Sequence, residues 1–230
     1  MAIYAISDLH LPAGNDKPMD IFGEHWEKHF DRIKEDWLKR VTDDDIVLLP
    51  GDLSWAMQLQ DALQDLNAIG ELPGKKILTR GNHDYWWSSI GRVRDKLSRN
   101  MYALQNDAIV LDGYVFAGTR GWILPTEEVG EDDKRIFARE IKRLTMSLEH
   151  AKRIAPTLPV ICMLHYPPLS DNMRDTEVTR VLKEFDVKHA VYGHLHGTAL
   201  YGAFRGELDG IVYHQVSCDG LNFKIHTVIE

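Results

Sequence analysis

Several things that would narrow the reading quickly are scarce or missing. Only two of the 230 residues are cysteine, Cys162 and Cys218, too few for the disulfide framework of a small secreted domain. No apolar run approaches the ~20 residues of a membrane-spanning helix; the longest, at 46–50 and 159–164, are strand-sized. The amino terminus, Met1-Ala2-Ile3-Tyr4, has no basic stretch, long apolar core or cleavage site of a secretory leader. Excess positive charge is missing as well. With 27 Lys and Arg against 35 Asp and Glu, the formal charge is −8, which leaves no broad cationic face for a nucleic-acid backbone. No repeat, low-complexity tract or linker interrupts the chain. These absences predict one reduced, cytoplasmic domain spanning 1–230, with neither membrane nor nucleic acid as a partner.

Histidine, by contrast, is plentiful, with 11 in the chain, and its placement follows a recurring grammar. A short apolar run, read as a buried strand, is followed each time by a polar loop. Ile3-Tyr4-Ala5-Ile6 leads into Ser7-Asp8-Leu9-His10, Ile46-Val47-Leu48-Leu49 into Pro50-Gly51-Asp52, and Ile77-Leu78-Thr79 into Gly81-Asn82-His83-Asp84. Two later runs do the same: 160–164 delivers His165, and 189–192 delivers Gly193-His194-Leu195-His196. Between them lie helical patterns. Phe22, Trp26, Phe30, Ile33 and Trp37 recur at helical spacing, as do apolar positions over 55–69 and 86–97. Alternating strands and helices predict an α/β fold with buried parallel strands. Asp112-Gly113 predicts a hairpin over 108–119, and turns at Gly206 and Asp209-Gly210 predict an antiparallel C-terminal third. A charged amphipathic helix is predicted over roughly 131–154, inside a cap-like insertion at 120–156.

Ligands of open α/β sheets bind beyond the carboxyl ends of the strands, so these scattered loops can converge on one edge. The residue types then point to metal. Carboxylate, imidazole and amide oxygen without thiolate suit manganese, iron or zinc and exclude a sulfur-rich structural site. Counted as two sites, Asp8, His10, Asp52 and His196 surround one ion, and Asp52, Asn82, His165 and His194 the other, with Asp52 as the bridge. Two ions held about 3.5–4 Å apart clamp an in-line displacement at phosphorus.

The ordered blocks Asp8-x-His10, Gly51-Asp52, Gly81-Asn82-His83-Asp84, His165 and Gly193-His194-Leu195-His196 resemble the calcineurin-like metallophosphoesterase superfamily. The resemblance implies two facing mixed β-sheets flanked by helices, two divalent ions, and hydrolysis of a phosphomonoester or phosphodiester by a metal-bridging hydroxide. It also implies that His83 contacts the phosphoryl group and protonates the leaving oxygen, with Asp84 orienting the imidazole. Where protein serine/threonine phosphatases of the superfamily continue Gly-Asp-x-Val-Asp-Arg-Gly, this chain reads Gly51-Asp52-Leu53-Ser54-Trp55-Ala56-Met57. The form is closer to small bacterial-type phosphodiesterases and phosphomonoesterases, whose substrates range over nucleotides, lipid precursors and nucleic acids. A catalytically silent scaffold and a nuclease are the competing readings, but no ligand position is missing and no basic track is visible.

Trp86 with Trp87, Arg120 and Trp122 are candidates for contacting substrate, while Lys134 and Arg135 fit a solvated surface better. The remaining histidines have no assigned chemistry. His25 and His29 read as solvated helix positions; His150, His189, His214 and His226 read as isolated structural residues. Asp43-Asp44-Asp45 reads as a solvated turn.

Overall fold

The computed structural model describes residues 1–14 and 19–230. Two sheets organise it. The first holds β1 (Ile3–Ala5), β2 (Ile46–Leu49), β3 (Lys75–Leu78), β4 (Met101–Ala103) and β11 (His226–Ile229), in the order β11-β1-β2-β3-β4. The second holds β5 (Ala108–Leu111), β6 (Tyr114–Thr119), β7 (Val160–Leu164), β8 (Val187–Tyr192), β9 (Gly206–Leu208) and β10 (Ile211–Gln215), in the order β5-β6-β7-β8-β10-β9. Strands β1 to β4 run parallel, as do β6, β7, β8 and β10, and the antiparallel strands β11, β5 and β9 form three of the four sheet edges. Both sheets are therefore mixed, as expected. The C-terminal third is only partly antiparallel: β9 and β11 are, whereas β10 runs parallel to β8.

The uninterrupted apolar strands have a simple physical reason. Side chains alternate between faces, and each sheet is covered on both. In β2, Ile46 and Leu48 enter the core between the sheets while Val47 and Leu49 meet the helices outside. In β7, Ile161 and Met163 point inward while Val160, Cys162 and Leu164 point outward. Helices α1 (His29–Arg40), α2 (Leu59–Gly70) and α3 (Ile90–Lys96) cover the first sheet through Ile33, Trp37, Ala62, Leu66, Ile69 and Val93. Helices α4 (Glu131–Ile154) and α5 (Glu177–Glu184) cover the second. The predicted amphipathic helix over 131–154 is α4, and its Phe137, Ile141, Leu144, Leu148 and Ala151 pack with Val115 and Ala117. The helical part of the expected cap is thus an outer layer of the sandwich, because burying that stripe on β5 and β6 removes it from water.

Local chemistry corrects three more expectations. The helical spacing from Phe22 to Trp37 is not one helix: short 3-10 turns at Met19–Phe22 and Glu24–Trp26 precede α1. Gly23 at φ 134° and Lys28 at φ 51° break the helical path, which leaves Phe22 61% exposed and turns Trp26 into the interior. Asp45 is not solvated. It is buried and accepts from the Ala2 N–H, the Thr42 N–H and the Thr42 hydroxyl, tying the amino terminus to the turn before β2. His29 is likewise buried, with Nε2 2.7 Å from the Leu9 carbonyl.

The histidines read as isolated include a contiguous chain. His189 Nδ1 lies 3.0 Å from His214 Nε2, and His214 Nδ1 lies 2.9 Å from His226 Nε2, linking β8 and β10 of one sheet to β11 of the other. Burial lowers the pKa of all three; His214 falls to about 3, with His226 and His189 adding to the effect, and Arg40 and Arg205 further lower His226. Unfolded imidazoles take up a proton near pH 6.5 while these resist, so protons favour the unfolded state. Stability is expected to be full above about pH 6.5 and to fall as the pH drops toward about 3. Thermal melts at pH 5.0 and 7.5 check this: His214→Gln should narrow the gap between the two, and an unchanged gap would remove this histidine chain as its source.

Candidate active site

Because β1, β2, β3, β7 and β8 point the same way, their five following loops meet at one edge. Backbone hydrogen bonds lace them together: Asp8 N–H to the Gly51 carbonyl, His10 N–H to Asp52, Gly193 N–H to His165, and His165 N–H to Arg120. Asp8, His10, Asp52 and His194 all adopt positive φ, at 58°, 46°, 54° and 72°, a region that costs a non-glycine residue about 1–3 kcal/mol. Four of the seven sequence-predicted ligands carry this strain, so the surrounding structure holds their backbone against its own preference. Gly51 (φ 94°) and Gly81 serve close approach. A Cβ on Gly51 would stand 2.6 Å from the Gly81 nitrogen, and one on Gly81 would collide with the Asp52 carboxylate.

The seven predicted ligands come together in this space. Asp8, His10 and His196 form one three-donor group, and Asp8, Asp52 and His165 another. Asp52 Oδ2 stands between His10 Nε2 (3.8 Å) and His165 Nε2 (3.4 Å), while Asp8 Oδ1 is 3.3 Å from His196 Nε2. The Asn82 amide oxygen lies 2.7 Å from His165 Nε2 and 2.9 Å from His194 Nδ1, and those two ring nitrogens are 3.3 Å apart. His165 Nδ1 is already engaged with the Pro50 carbonyl at 2.9 Å. In neutral His165 this leaves the Nε2 lone pair facing an amide oxygen, an arrangement of converging acceptors that suits a cation. The donor set is carboxylate, imidazole and amide; the nearby Cys218 thiol instead donates to the Asp8 carbonyl. These residues fit divalent metal.

Burial opposes the charged forms of Asp8 and Asp52, yet the surrounding histidines outweigh it and both carboxyls lie below their ordinary range. Burial lowers the pKa of His165 and His196, but carboxylates win: Asp52 and Asp8 push His165 up to about 9, while Asp219 and Asp8 push His196 up to about 10. For His10 and His194, burial prevails and the value falls to about 4.

Asp219 escaped the sequence reading. Its carboxylate accepts from His196 Nδ1 at 2.9 Å and from the Gly197 N–H at 3.0 Å, fixing the ring so that Nε2 faces Asp8. The available signal was the same grammar seen elsewhere, a polar loop after the strand now labelled β10, but it carries no histidine.

Asp84 has a different place from the one the resemblance implied. Its two oxygens accept from the N–H groups of Asp52, Leu53 and Gly81 at 2.7–2.9 Å and from Trp86 Nε1 at 2.9 Å. No hydrogen bond joins it to the His83 ring among the described residues, because backbone donors occupy its acceptors. Burial, with Asp52 next, pushes the Asp84 pKa up to about 6 although the Gly81 and Leu53 N–H groups oppose it. Asp84 is a buried clasp between two ligand loops. Asp84→Ala would orphan several buried donors and is expected to cost about 3 kcal/mol or more, a fall in melting temperature of roughly 6–12 °C. A melting point within 2 °C of wild type would contradict that role.

His83 faces a cavity of about 440 Å³ that it lines with His10, His196, Trp26, Trp55, Phe22 and Met19, among others. Its ring centroid lies 4.7 Å from Trp55 and 5.7 Å from His10, and its N–H donates to Asp52 Oδ1 at 2.8 Å. The side-chain Nδ1 is buried without a hydrogen-bond partner. The other proposed substrate contacts lie elsewhere. Trp86 is 1% exposed and holds Asp84, and Trp87 is buried on Gln105, because apolar rings with one satisfied N–H gain more from burial than from a cleft. Trp122 donates to Asp133 at the start of α4, and Arg120 stacks on Trp122 at 4.5 Å while opening into a separate cavity.

Residues 1–198 match the calcineurin-like phosphoesterase family. The chain belongs to that family. Every predicted ligand lies within the matched region, whereas Asp219 lies beyond it. Among solved structures, the calcineurin-like chain resembles the protein of unknown function AQ665 from Aquifex aeolicus, with a TM-score of 0.51 and 16% identity over 98% of this chain and 95% of that one. That likeness concerns the fold. No curated protein matches significantly. No helix among the described residues is long and apolar enough to cross a membrane.

Proposed function

We propose that this phosphoesterase-family protein hydrolyses a small phosphate ester at two divalent ions, held by Asp8, His10, Asp52 and His196 on one side and by Asp52, Asn82, His165 and His194 on the other. The observation that carries the reading is the convergence of three-donor groups around Asp8 beside a cavity that His83 itself lines. Such ions, when bound, lower the pKa of water and offset charge developing on the phosphoryl oxygens. His83 delivers the proton that the departing oxygen needs. Asp219 keeps His196 in register, and Asp84 keeps the Asp52 and Gly81 loops together.

The cavity also restricts the leaving group. Trp26, Trp55, Phe22 and Met19 offer flat and apolar surface, and neither lysine nor arginine is among the lining residues. An aromatic or otherwise planar uncharged group suits this lining better than a polyanionic strand. Buried Cys162 and Cys218, both free thiols, support the cytoplasmic setting expected from the sequence.

The test is turnover of nitrophenyl phosphate mono- and diesters with manganese, iron or zinc, alone and with chelator. Activity should require metal, return on its addition, and show a raised KM for aryl esters in Trp55→Ala. Inactivity with all three metals at micromolar enzyme would favour the silent-scaffold reading instead.

A further inference from the structure

A second cavity, of about 370 Å³, opens at the same edge of the sandwich but shares no lining residue with the aromatic one. Arg80 follows β3, Gln105 and Asn106 follow β4, Thr119 and Arg120 sit at the end of β6, and α4 contributes Arg139, Glu140 and Arg143. Four guanidinium groups and a single carboxylate therefore face one space in a chain whose formal charge is −8.

That one carboxylate is already engaged. Glu140 accepts from the Thr119 hydroxyl at 2.7 Å and pairs with Arg143. Among the described residues, no ion pair involves Arg80, Arg120 or Arg139. Two further donors lining the cavity, Arg80 Nε and Ser88 Oγ, are buried with no hydrogen-bond partner. Buried donors without partners are rare in native proteins and expensive, and gathered guanidinium groups repel unless an anion sits among them. Burial lowers the pKa of Arg120; Glu140 opposes the shift, and Arg80 and Arg143 add to it.

We propose that the cavity bounded by Arg80, Arg120, Arg139 and Arg143 is a binding site for a phosphate-class anion. Guanidinium is the side chain suited to it, because its planar fork matches two phosphate oxygens at once. The volume falls within the range of small-molecule pockets. Arg80 stands two residues before Asn82, and the Arg120 carbonyl accepts from the N–H groups of His165 and Tyr166, so this site adjoins the ligand loops. The anion is either a second phosphate carried by the substrate or a free phosphate compound bound beside it.

Titration calorimetry of inorganic pyrophosphate into the full-length chain tests the site without turnover, and so independently of the proposed reaction. In buffer freed of divalent ions on a chelating resin, one pyrophosphate should bind per chain. Affinity should fall about tenfold or more in Arg80→Gln and in Arg139→Gln. The second of these is an exposed position that cannot endanger folding, and Arg135→Gln, an exposed arginine of α4 outside the cavity, should bind as wild type. Absence of binding to wild type, or wild-type affinity in both cavity variants, would overturn the proposal. Kinetics then separate the sources. If the anion belongs to the substrate, Arg139→Gln raises KM for a bisphosphorylated ester and leaves that for nitrophenyl phosphate unchanged; if it is free, neither KM moves while pyrophosphate binding is still lost.

Discussion

Replacing His83 with alanine is expected to lower kcat by about 10²–10⁴-fold, the usual worth of a positioned general acid, while the protein keeps its metal. The size of the loss should depend on the leaving group. A nitrophenolate departs readily without a proton, whereas an alkoxide does not, so an alkyl phosphate should lose more activity than a nitrophenyl phosphate. Folding is not at issue, because His83 is only half-buried and it is its backbone N–H that anchors to Asp52. Steady-state kinetics with both ester types, alongside metal content by elemental analysis, make the check. An equal loss for both esters would assign His83 to binding the phosphoryl group rather than to proton transfer, and wild-type activity would exclude it from the reaction.

Asp8→Ala should have the larger effect on metal. Asp8 belongs to both three-donor groups, stands 3.3 Å from His196, and accepts from the His194 N–H at 3.0 Å. Its removal takes a shared donor from each group and leaves the cluster rich in imidazole with less negative charge. At least the proposed ion on the Asp8, His10 and His196 side should be lost on dialysis, and turnover should fall to background. Asp219→Ala removes only the group that steers His196 and should weaken metal by about 10–100-fold, with activity recovering at high metal concentration. Retention of two ions by Asp8→Ala would show that the groups do not depend on it.

The convergence of the proposed ligands was legible because each follows an apolar strand, and parallel strands bring their carboxyl-end loops to one edge. Asp219 was not, since a lone aspartate after a strand has no local partner to mark it; only folding brings it to His196, 23 residues earlier. His83 and Asp84 misled by adjacency. The loop bends at Asn82 and His83, and the fold sets the His83 ring against the cavity while Asp84 is buried among backbone donors. The aromatic spacing from Phe22 to Trp37 carried a true helical period only from residue 29 onward, because the left-handed backbone at Lys28 interrupts it.

By itself, the sequence determined the layered α/β class, the order of the ligand loops, and the donor chemistry that calls for divalent metal. These are written in local apolar periodicity and in residue type, which do not depend on distant partners. The tertiary structure alone decided which face of each strand meets which core, that α4 is a wall and not a lid, and that three histidines far apart in the chain form one contact line. It also decided that Trp86 and Trp87 are buried, and that four arginines from two strand ends and a helix share one cavity. Those outcomes depend on where separate segments meet, and burial and charge act between neighbours in space, whatever their distance along the chain.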